Sequence, residues 1–267
     1  MSTAVWSAAA RRRLSGSGGE TPSAQPSAQP SVQGKESIST LSIRRLNRRE
    51  LPQHTVALTR YLIGKVVVHE LPQGRVSGRI VEAEAYPPGD PAGHHFRGPT
   101  PRIRSMYMAP GHAYVFFNYG AHFMLNVSSE PQGTAGGILI RALEPLEGIA
   151  LMQQNRGMTE LRDLTSGPGR LAAALQITRE HDGIDLTASP TLWLGEVLSS
   201  ADAAENTRRP PTIGRTVRIG ITRAANRVLR FYECGNPFVS GPKRLLASLA
   251  GGAQVRNGER KKRRARR

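Results

Sequence analysis

Short runs of apolar residues punctuate the middle of the chain, and their length and alternation predict β-strands. The runs are rich in Val, Ile and aromatic residues and are bounded by Gly, Pro and polar positions, which is typical of strands. The predicted strands are 65–68, 78–86, 114–117, 124–127 and 137–143. A hairpin turn is expected at Tyr119-Gly120, between the third and the fourth of them.

Helices are predicted where apolar residues recur at helical spacing behind a proline. The predicted helices are 146–155 after Pro145, 169–175 after Ser166-Gly167-Pro168, and 242–249. Strands and helices do not alternate as a doubly wound parallel sheet requires. We therefore expect an α+β fold, a single domain with a curved, mostly antiparallel β-sheet flanked by helices.

The composition changes at both ends of this patterned region. Residues 1–40 form a Ser/Pro/Gln-rich tract that cannot bury enough apolar surface to fold, so a disordered tail is predicted there. Residues 251–267 are dominated by Arg and Lys and are predicted to be a second, basic disordered tail. One folded domain is expected over 41–250.

The chain carries a net charge of +17 over 267 residues. Residues 251–267 contribute +7 of this charge and residues 1–40 contribute +2, which leaves +8 on the predicted domain. A basic folded region favours a nucleic-acid partner, although a solvated basic surface gives the same count.

A single cysteine, Cys234, excludes an internal disulfide and favours a reducing, intracellular compartment. No stretch approaches the ~18 apolar residues of a membrane span, so no membrane partner is expected. A bacterial cytoplasmic protein associated with the nucleoid is predicted. The basic end of the chain would also suit a nucleus.

The predicted strand 78–86 carries two carboxylates. Its two-residue period places Glu82, Glu84 and Tyr86 on one face, and Val81, Ala83 and Ala85 on the other. The second face suits core packing. The first face is either exposed or lines a cleft, and by itself the strand favours exposure because Glu is ordinarily a surface residue.

Aromatic and basic residues interleave downstream of this strand. Five aromatic residues fall within 114–123, with His112 and His122 beside them. Such interleaving suits base stacking and phosphate contact, although core packing also explains some of these rings. His94-His95 lacks an Asp or Cys at ligand spacing, so neither a metal nor another cofactor is predicted.

A set of motifs, taken in their order along the chain, resembles the alkyladenine (3-methyladenine) DNA glycosylase family over about 41–245. The motifs are Glu84-Ala85-Tyr86, His94, Thr100 to Gly120, Asn126, Arg141-Ala142-Leu143-Glu144-Pro145, Ser166-Gly167-Pro168 and Phe231-Tyr232. The resemblance implies that 41–250 is a catalytic domain that flips alkylated or deaminated purines from duplex DNA. It implies hydrolysis of the N-glycosidic bond in 3-methyladenine, 7-methylguanine, hypoxanthine or ethenoadenine nucleotides, which leaves an abasic site.

The resemblance also implies catalytic roles. Glu84 would be the general base that activates water, and Arg141 would help to hold that water and a phosphate of the flipped nucleotide. The backbone carbonyl of Val239 would contact the same water. Glu82 receives no such role and is interpreted as structural.

The remaining implied roles concern the base. Tyr86 and His94 would pack on one side of it and Phe116 on the other, while Asn126 would clash with the exocyclic amine of normal guanine. Tyr119 would intercalate into the duplex. Phe116 stands where many relatives have tyrosine, and the segment from Tyr86 to His94 is about one residue shorter than in vertebrate relatives.

The scarcity of lysine bears on the expected mechanism. Lys65 and Lys243 are the only lysines in the predicted domain, which favours a monofunctional, water-using enzyme over attack by an amine. The expected partner is double-stranded DNA that contains damaged purines, and a monomer is expected. One alternative is a nucleic-acid-binding protein without catalysis on the same fold. The other is a metal-dependent hydrolase that uses His94, His95 and Glu84.

Overall fold

A computed structural model describes residues 41–118, 120–198, 211–242 and 246. The strands are β1 (Ile43–Arg45), β2 (Val66–Leu71), β3 (Gly74–Tyr86), β4 (Ala113–Asn118), β5 (His122–Ser128), β6 (Gly137–Glu147), β7 (Leu192–Val197), β8 (Ile213–Thr216) and β9 (Arg230–Glu233). The α-helices are α1 (Thr55–Leu62), α2 (Ile149–Arg156), α3 (Leu161–Thr165) and α4 (Pro168–Ala174). Short 3₁₀ helices span Arg48–Glu50, His94–Arg97, Pro101–Tyr107 and Arg179–His181.

The described strands form one nine-stranded sheet in which every pairing is antiparallel, which confirms the predicted α+β class. The order is β1-β7-β2-β3-β6-β5-β4, and β9 with β8 also pairs with β3. The length of β3, 13 residues, explains this arrangement. Residues 74–79 of β3 pair with β2 and residues 82–84 pair with β9, while β6 follows the other edge. The end of β3 is consequently buried.

The main core lies between one face of the sheet and the α-helices. Sheet residues such as Val115, Ile138 and Ile140 are fully buried there against Leu58 of α1 and Leu171 of α4. Burying each such side chain contributes about 1.5–3 kcal/mol before conformational entropy is counted. The opposite face of β3–β6 is therefore free to carry polar groups.

All five predicted strands are confirmed; β2 begins one residue later than predicted, at Val66, and each strand extends beyond the predicted range at one end at least. The predicted helix 169–175 is also confirmed, as α4. The start of the predicted helix 146–155 is wrong, because β6 continues to Glu147 and α2 begins at Ile149. Gly148 makes the change of direction, with φ of +70° and a Cα so close to Val76 that a Cβ would lie 2.8 Å from that side chain.

The predicted alternation in β3 fails at Val81. The pairing with β6 shifts on both sides of Glu82, with one extra residue in β3 at Val81 and one in β6 at Arg141. This irregularity separates Val81 from Ala83 and Ala85, which lie in the main core, and packs it in a small cluster with Tyr232 and Val239. A bulge of this kind redirects neighbouring side chains.

Several predictions fall outside the described residues. These are the tails at 1–40 and 251–267, nearly all of the predicted helix 242–249, and Tyr119 in the β4–β5 turn. Within the described ranges, no helix is both long enough and apolar enough to cross a membrane.

Candidate active site

A cavity of about 530 Å³ opens above the sheet face that turns away from the main core. The alternation of side chains along β4, β5 and β6 builds its floor, because residues that point into the main core alternate there with residues that point into the cavity. The floor residues from the sheet include Tyr86, Tyr114, Phe116, Asn126, Leu139 and Arg141. Four strands thus supply one rigid surface for a ligand.

Two loops form the walls above this floor. Residues 91–94 follow β3 and lead into the 3₁₀ helix, and residues 219–223 precede β9. Five of the predicted site residues line the cavity together: Tyr86, His94, Phe116, Asn126 and Arg141. Glu84 and Val239 do not line it, and Tyr119 is outside the described residues.

Glu84 lies directly behind the cavity wall and has no exposed surface. Its Oε2 accepts a hydrogen bond from the Tyr86 hydroxyl at 2.9 Å, and its Oε1 accepts one from the Ile219 backbone amide at 2.8 Å. Arg141 Nη1 is 3.2 Å from the same Oε1. All three of these polar partners belong to residues that line the cavity.

Arg141 occupies the extra position in β6, and this bulge turns it toward two carboxylates. Its Nε donates to Glu82 Oε1 at 2.9 Å while its Nη1 reaches Glu84. Burial by itself would lower the pKa of Arg141, but the charges of Glu84 and Glu82 outweigh burial and raise it. The guanidinium is therefore a fixed positive charge at the cavity floor.

Glu82 is fully buried beneath Arg141 and is its main anchor. It also accepts from Arg230 Nε at 2.6 Å and from the Ser240 backbone amide at 2.6 Å. Val239, next to Ser240, places its side chain in the apolar cluster with Val81 and not in the cavity. The structural role predicted for Glu82 includes, in this geometry, the placement of Arg141.

Tyr86 donates its hydroxyl proton to Glu84 and is held in that state. Burial raises the pKa of Tyr86, and the negative charge of Glu84 raises it further. The phenol is therefore neutral at physiological pH and presents a flat ring to the cavity.

Three aromatic rings of the cavity lining, those of His94, Tyr114 and Phe116, contact one another. His94 and Phe116 have centroids 4.5 Å apart at an interplanar angle of 75°, and Tyr114 stacks on Phe116 at 5.4 Å. His94 Nδ1 lies 2.8 Å from the Tyr114 hydroxyl. Stacked rings have centroids about 4.5–7 Å apart, so a base between His94 and Phe116 needs roughly twice the observed separation. The two rings must part before both faces of a base can be covered.

His94 is neutral at physiological pH in this setting. Loss of hydration in the cavity wall lowers the pKa of His94, and the nearby positive charge of Arg102 lowers it further. The next residue, His95, turns away and places Nε2 2.9 Å from the Pro87 carbonyl oxygen. In the described part of the chain, no three His, Cys, Asp or Glu side chains form a group able to hold a metal ion.

Asn126 is fixed by its amide nitrogen, which donates to the carbonyl oxygens of Tyr114 at 3.1 Å and Met124 at 3.3 Å. Both acceptors belong to the β4–β5 pair, so the side chain is buried and rigid. It presents a polar group at the floor of the cavity.

The sequence patterns missed several residues that shape this site. Ile219 acts through its backbone amide, and the residue type does not reveal such a role. Arg218 and Asp90 form a buried ion pair behind the cavity lining, and both lie outside the helices and strands. Arg230 lies in β9, which pairs with β3 in the sheet but is distant from it in the sequence. Only Tyr114 carried a signal, as part of the aromatic run.

Comparison with known proteins agrees with this arrangement. Residues 49–237 match the family model described as "Methylpurine-DNA glycosylase (MPG)". A protein of Mesorhizobium japonicum is 58% identical over 198 residues, which cover 74% of this chain and 91% of the relative. A protein of Paraburkholderia phytofirmans is 47% identical over 216 residues, covering 81% and 97%, and one of Methanoculleus marisnigri is 44% identical over 186 residues, covering 70% and 93%.

All three relatives carry the name "Putative 3-methyladenine DNA glycosylase". The matched region includes β3 to β9 and therefore the whole described wall of the cavity. The family match and the extent of the shared sequence lead to one conclusion: this chain belongs to the methylpurine-DNA glycosylase family.

Proposed function

We propose that this protein flips alkylated or deaminated purines out of duplex DNA and hydrolyses their N-glycosidic bond without cutting the backbone. The substrates would be nucleotides of 3-methyladenine, 7-methylguanine, hypoxanthine and ethenoadenine. The observation that carries the proposal is a buried carboxylate, Glu84, held behind an aromatic cavity by three residues of its wall.

Glu84 would serve as the base for the attacking water. A carboxylate accepts hydrogen bonds at about four positions. Tyr86 and Ile219 fill two of them and Arg141 is an ion-pair partner at 3.2 Å, so an acceptor position remains for a water that would enter with the nucleotide. The water oxygen bonds to C1′ as the C1′–N bond breaks, the electron pair leaves with the base, and the water proton passes to Glu84. A positioned base of this kind contributes roughly 10²–10⁴-fold.

Arg141 would have two tasks. It pairs with Glu84 through Nη1, and its position on the cavity floor suits a phosphate of the flipped nucleotide. The Val239 carbonyl would be a second contact for the water; its support is indirect, since the neighbouring Ser240 hydroxyl is 3.5 Å from Arg141 Nη2.

The base would be held between Tyr86 with His94 on one side and Phe116 on the other. This requires the His94 ring to leave its edge contact with Phe116, so base entry and a movement of His94 would be coupled. A neutral His94 does not repel a ring-alkylated, cationic purine, and electron-rich rings attract such a base by about 0.5–2 kcal/mol. Tyr119 would fill the gap in the duplex.

A water-using mechanism is favoured over attack by an amine. Among the described residues the sole lysine is Lys65, whose ammonium pairs with Glu196 and lies over the Tyr61 ring. Lys65 does not line the cavity. Borohydride should therefore trap no covalent adduct with damaged DNA.

The decisive experiment incubates the protein with duplexes that contain hypoxanthine, ethenoadenine or alkylated purines and measures the free base. We expect release by the wild-type protein and its loss in Glu84→Gln, with DNA binding unchanged or tighter because a buried negative charge is removed. Glu70→Gln is the matched control, since Glu70 pairs with Arg75 far from the cavity wall and should leave release unchanged.

One observation favours the alternative of a nucleic-acid-binding protein without catalysis. Glu84 is fully enclosed in this structure, so it can act as a base only if entry of the nucleotide brings a water to it. Tight binding to damaged duplexes without release of any base would establish that alternative and overturn the proposed hydrolysis.

A further inference from the structure

Arg218 is a fully enclosed cation that lies directly behind the cavity lining, beside Tyr86 and Ile219. Its Nη1 donates to the Ala85 carbonyl oxygen at 3.0 Å, at the end of β3. Its guanidinium carbon lies 4.5 Å from the centroid of the Tyr86 ring. It directly precedes Ile219, whose amide donates to Glu84.

Asp90 holds this guanidinium by an ion pair that includes one hydrogen bond. Arg218 Nη1 is 2.9 Å from Asp90 Oδ2, and Nη2 is 3.1 Å from Oδ1, with both side chains completely buried. The same carboxylate accepts from the Ala92 amide and from Arg227 Nη1, each at 2.9 Å. The two loops that form the cavity walls are thereby joined through one ion pair.

We propose that Arg218, oriented by Asp90, is a positioning residue for base excision. It lies outside the cavity lining and has no exposed surface, so it would act through Tyr86 and through the Ile219 amide. The proposal rests on the proposed function, because it concerns the placement of Glu84 and of the ring that would stack on the base.

The chemistry of arginine suits this task. A planar guanidinium stacks on an aromatic ring while its edge binds a carboxylate through two nitrogens, and lysine cannot do both. The Arg218 guanidinium covers a face of Tyr86 that the cavity does not use, because Arg218 has no exposed surface. The ring is then fixed in rotation while its hydroxyl reaches Glu84.

The test is a single-turnover measurement of base release on the duplex that the wild-type protein processes fastest. We expect Arg218→Met to be roughly 10- to 100-fold slower, since small misplacements of catalytic groups cost this much. Arg218→Lys should recover only part of the rate. DNA affinity should stay within about threefold of the wild-type value, because Arg218 contacts no nucleotide.

Arg79→Met is the matched control. Arg79 is nearly as buried as Arg218 and also pairs with two carboxylates, Glu144 and Glu233, but it lies at the other end of the β3–β6 pairing. It should lose stability in thermal unfolding without losing a comparable share of the rate. An equal loss of rate in both variants at equal unfolding midpoints would overturn the positioning role.

A double-mutant cycle separates positioning from folding. The Asp90→Asn/Arg218→Met variant removes both buried charges, so it should fold better than Arg218→Met and remain slow.

If Arg218 acts through the Tyr86 ring, Arg218→Met should have little further effect in a Tyr86→Leu background. Full additivity would contradict the proposal. No release by the wild-type protein would overturn the proposed function as well, whereas a fast Arg218→Met variant would overturn the positioning role alone.

Discussion

The hydroxyl of Tyr86 donates a hydrogen bond to Oε2 of Glu84 at 2.9 Å, within a single strand. Two residues apart on β3, both side chains point to the same sheet face, and the ring bridges from the buried carboxylate to the open cavity. The residue that is expected to stack on the damaged nucleobase, Tyr86, therefore also donates a hydrogen bond to Glu84, the expected general base.

The first prediction concerns this hydrogen bond. Tyr86→Phe keeps the ring but removes the donor, and a hydrogen bond to a charged group is worth about 1.5–3 kcal/mol. Single-turnover base release should slow by about tenfold or more, while binding of damaged duplex changes little. Tyr61→Phe, on helix α1 and remote from the cavity, is the control. A wild-type rate for Tyr86→Phe would show that the bond is not used.

The second prediction concerns the anchor of Arg141. Glu82→Gln leaves Arg141 and Arg230 buried without their shared countercharge. Removing one partner of a buried pair typically costs about 3–5 kcal/mol, so the denaturant midpoint should fall strongly. Glu70→Gln breaks a partly exposed pair with Arg75 and should cost at most about 1 kcal/mol. Similar midpoints for the two variants would argue against this anchoring.

The third prediction concerns discrimination against normal bases. Asn126 is locked to two strand carbonyls and lines the cavity floor, so it cannot yield to an extra exocyclic amine. Asn126→Ala should raise the release of undamaged guanine relative to hypoxanthine, as measured in competition on matched duplexes. An unchanged ratio would remove Asn126 from the specificity determinants.

The fourth prediction concerns pH and folding, away from the site. His69 and His181 contact each other through their Nε2 atoms at 3.2 Å, and burial lowers the pKa of both. The folded chain resists their protonation, while the unfolded chain protonates them near pH 6.5. Stability should therefore be fully present above about pH 6.5 and decline as the pH falls below it.

Denaturant unfolding at pH 7.5 and pH 5.5 measures this effect. The window lies above the range in which Asp185 and Glu196 titrate, since the pKa of each carboxyl is lowered by its partners. His69→Gln should lose less stability across the window than the wild-type protein does. An identical loss in both proteins would assign the decline to other groups.

The sequence by itself predicted β2 to β6 and the chemical class of the site, but not β1, β7, β8 and β9. The apolar runs located every strand around the cavity, because the residue types and the alternation that favour a strand are local properties of the chain. The two-residue period also placed Glu84 and Tyr86 on a common face. The ordered motifs then pointed to the family that the comparisons confirm.

Tertiary structure decided what local patterns cannot express. The bulge opposite Glu82 depends on the pairing of β3 with β6, so neither the separation of Val81 from Ala83 nor the direction of Arg141 follows from alternation. Full burial of Glu82 required β9 to bring Arg230 beside it, across 148 residues of chain. Ile219 serves Glu84 through a backbone amide, a group that every residue except proline possesses, so only the folded chain could single it out.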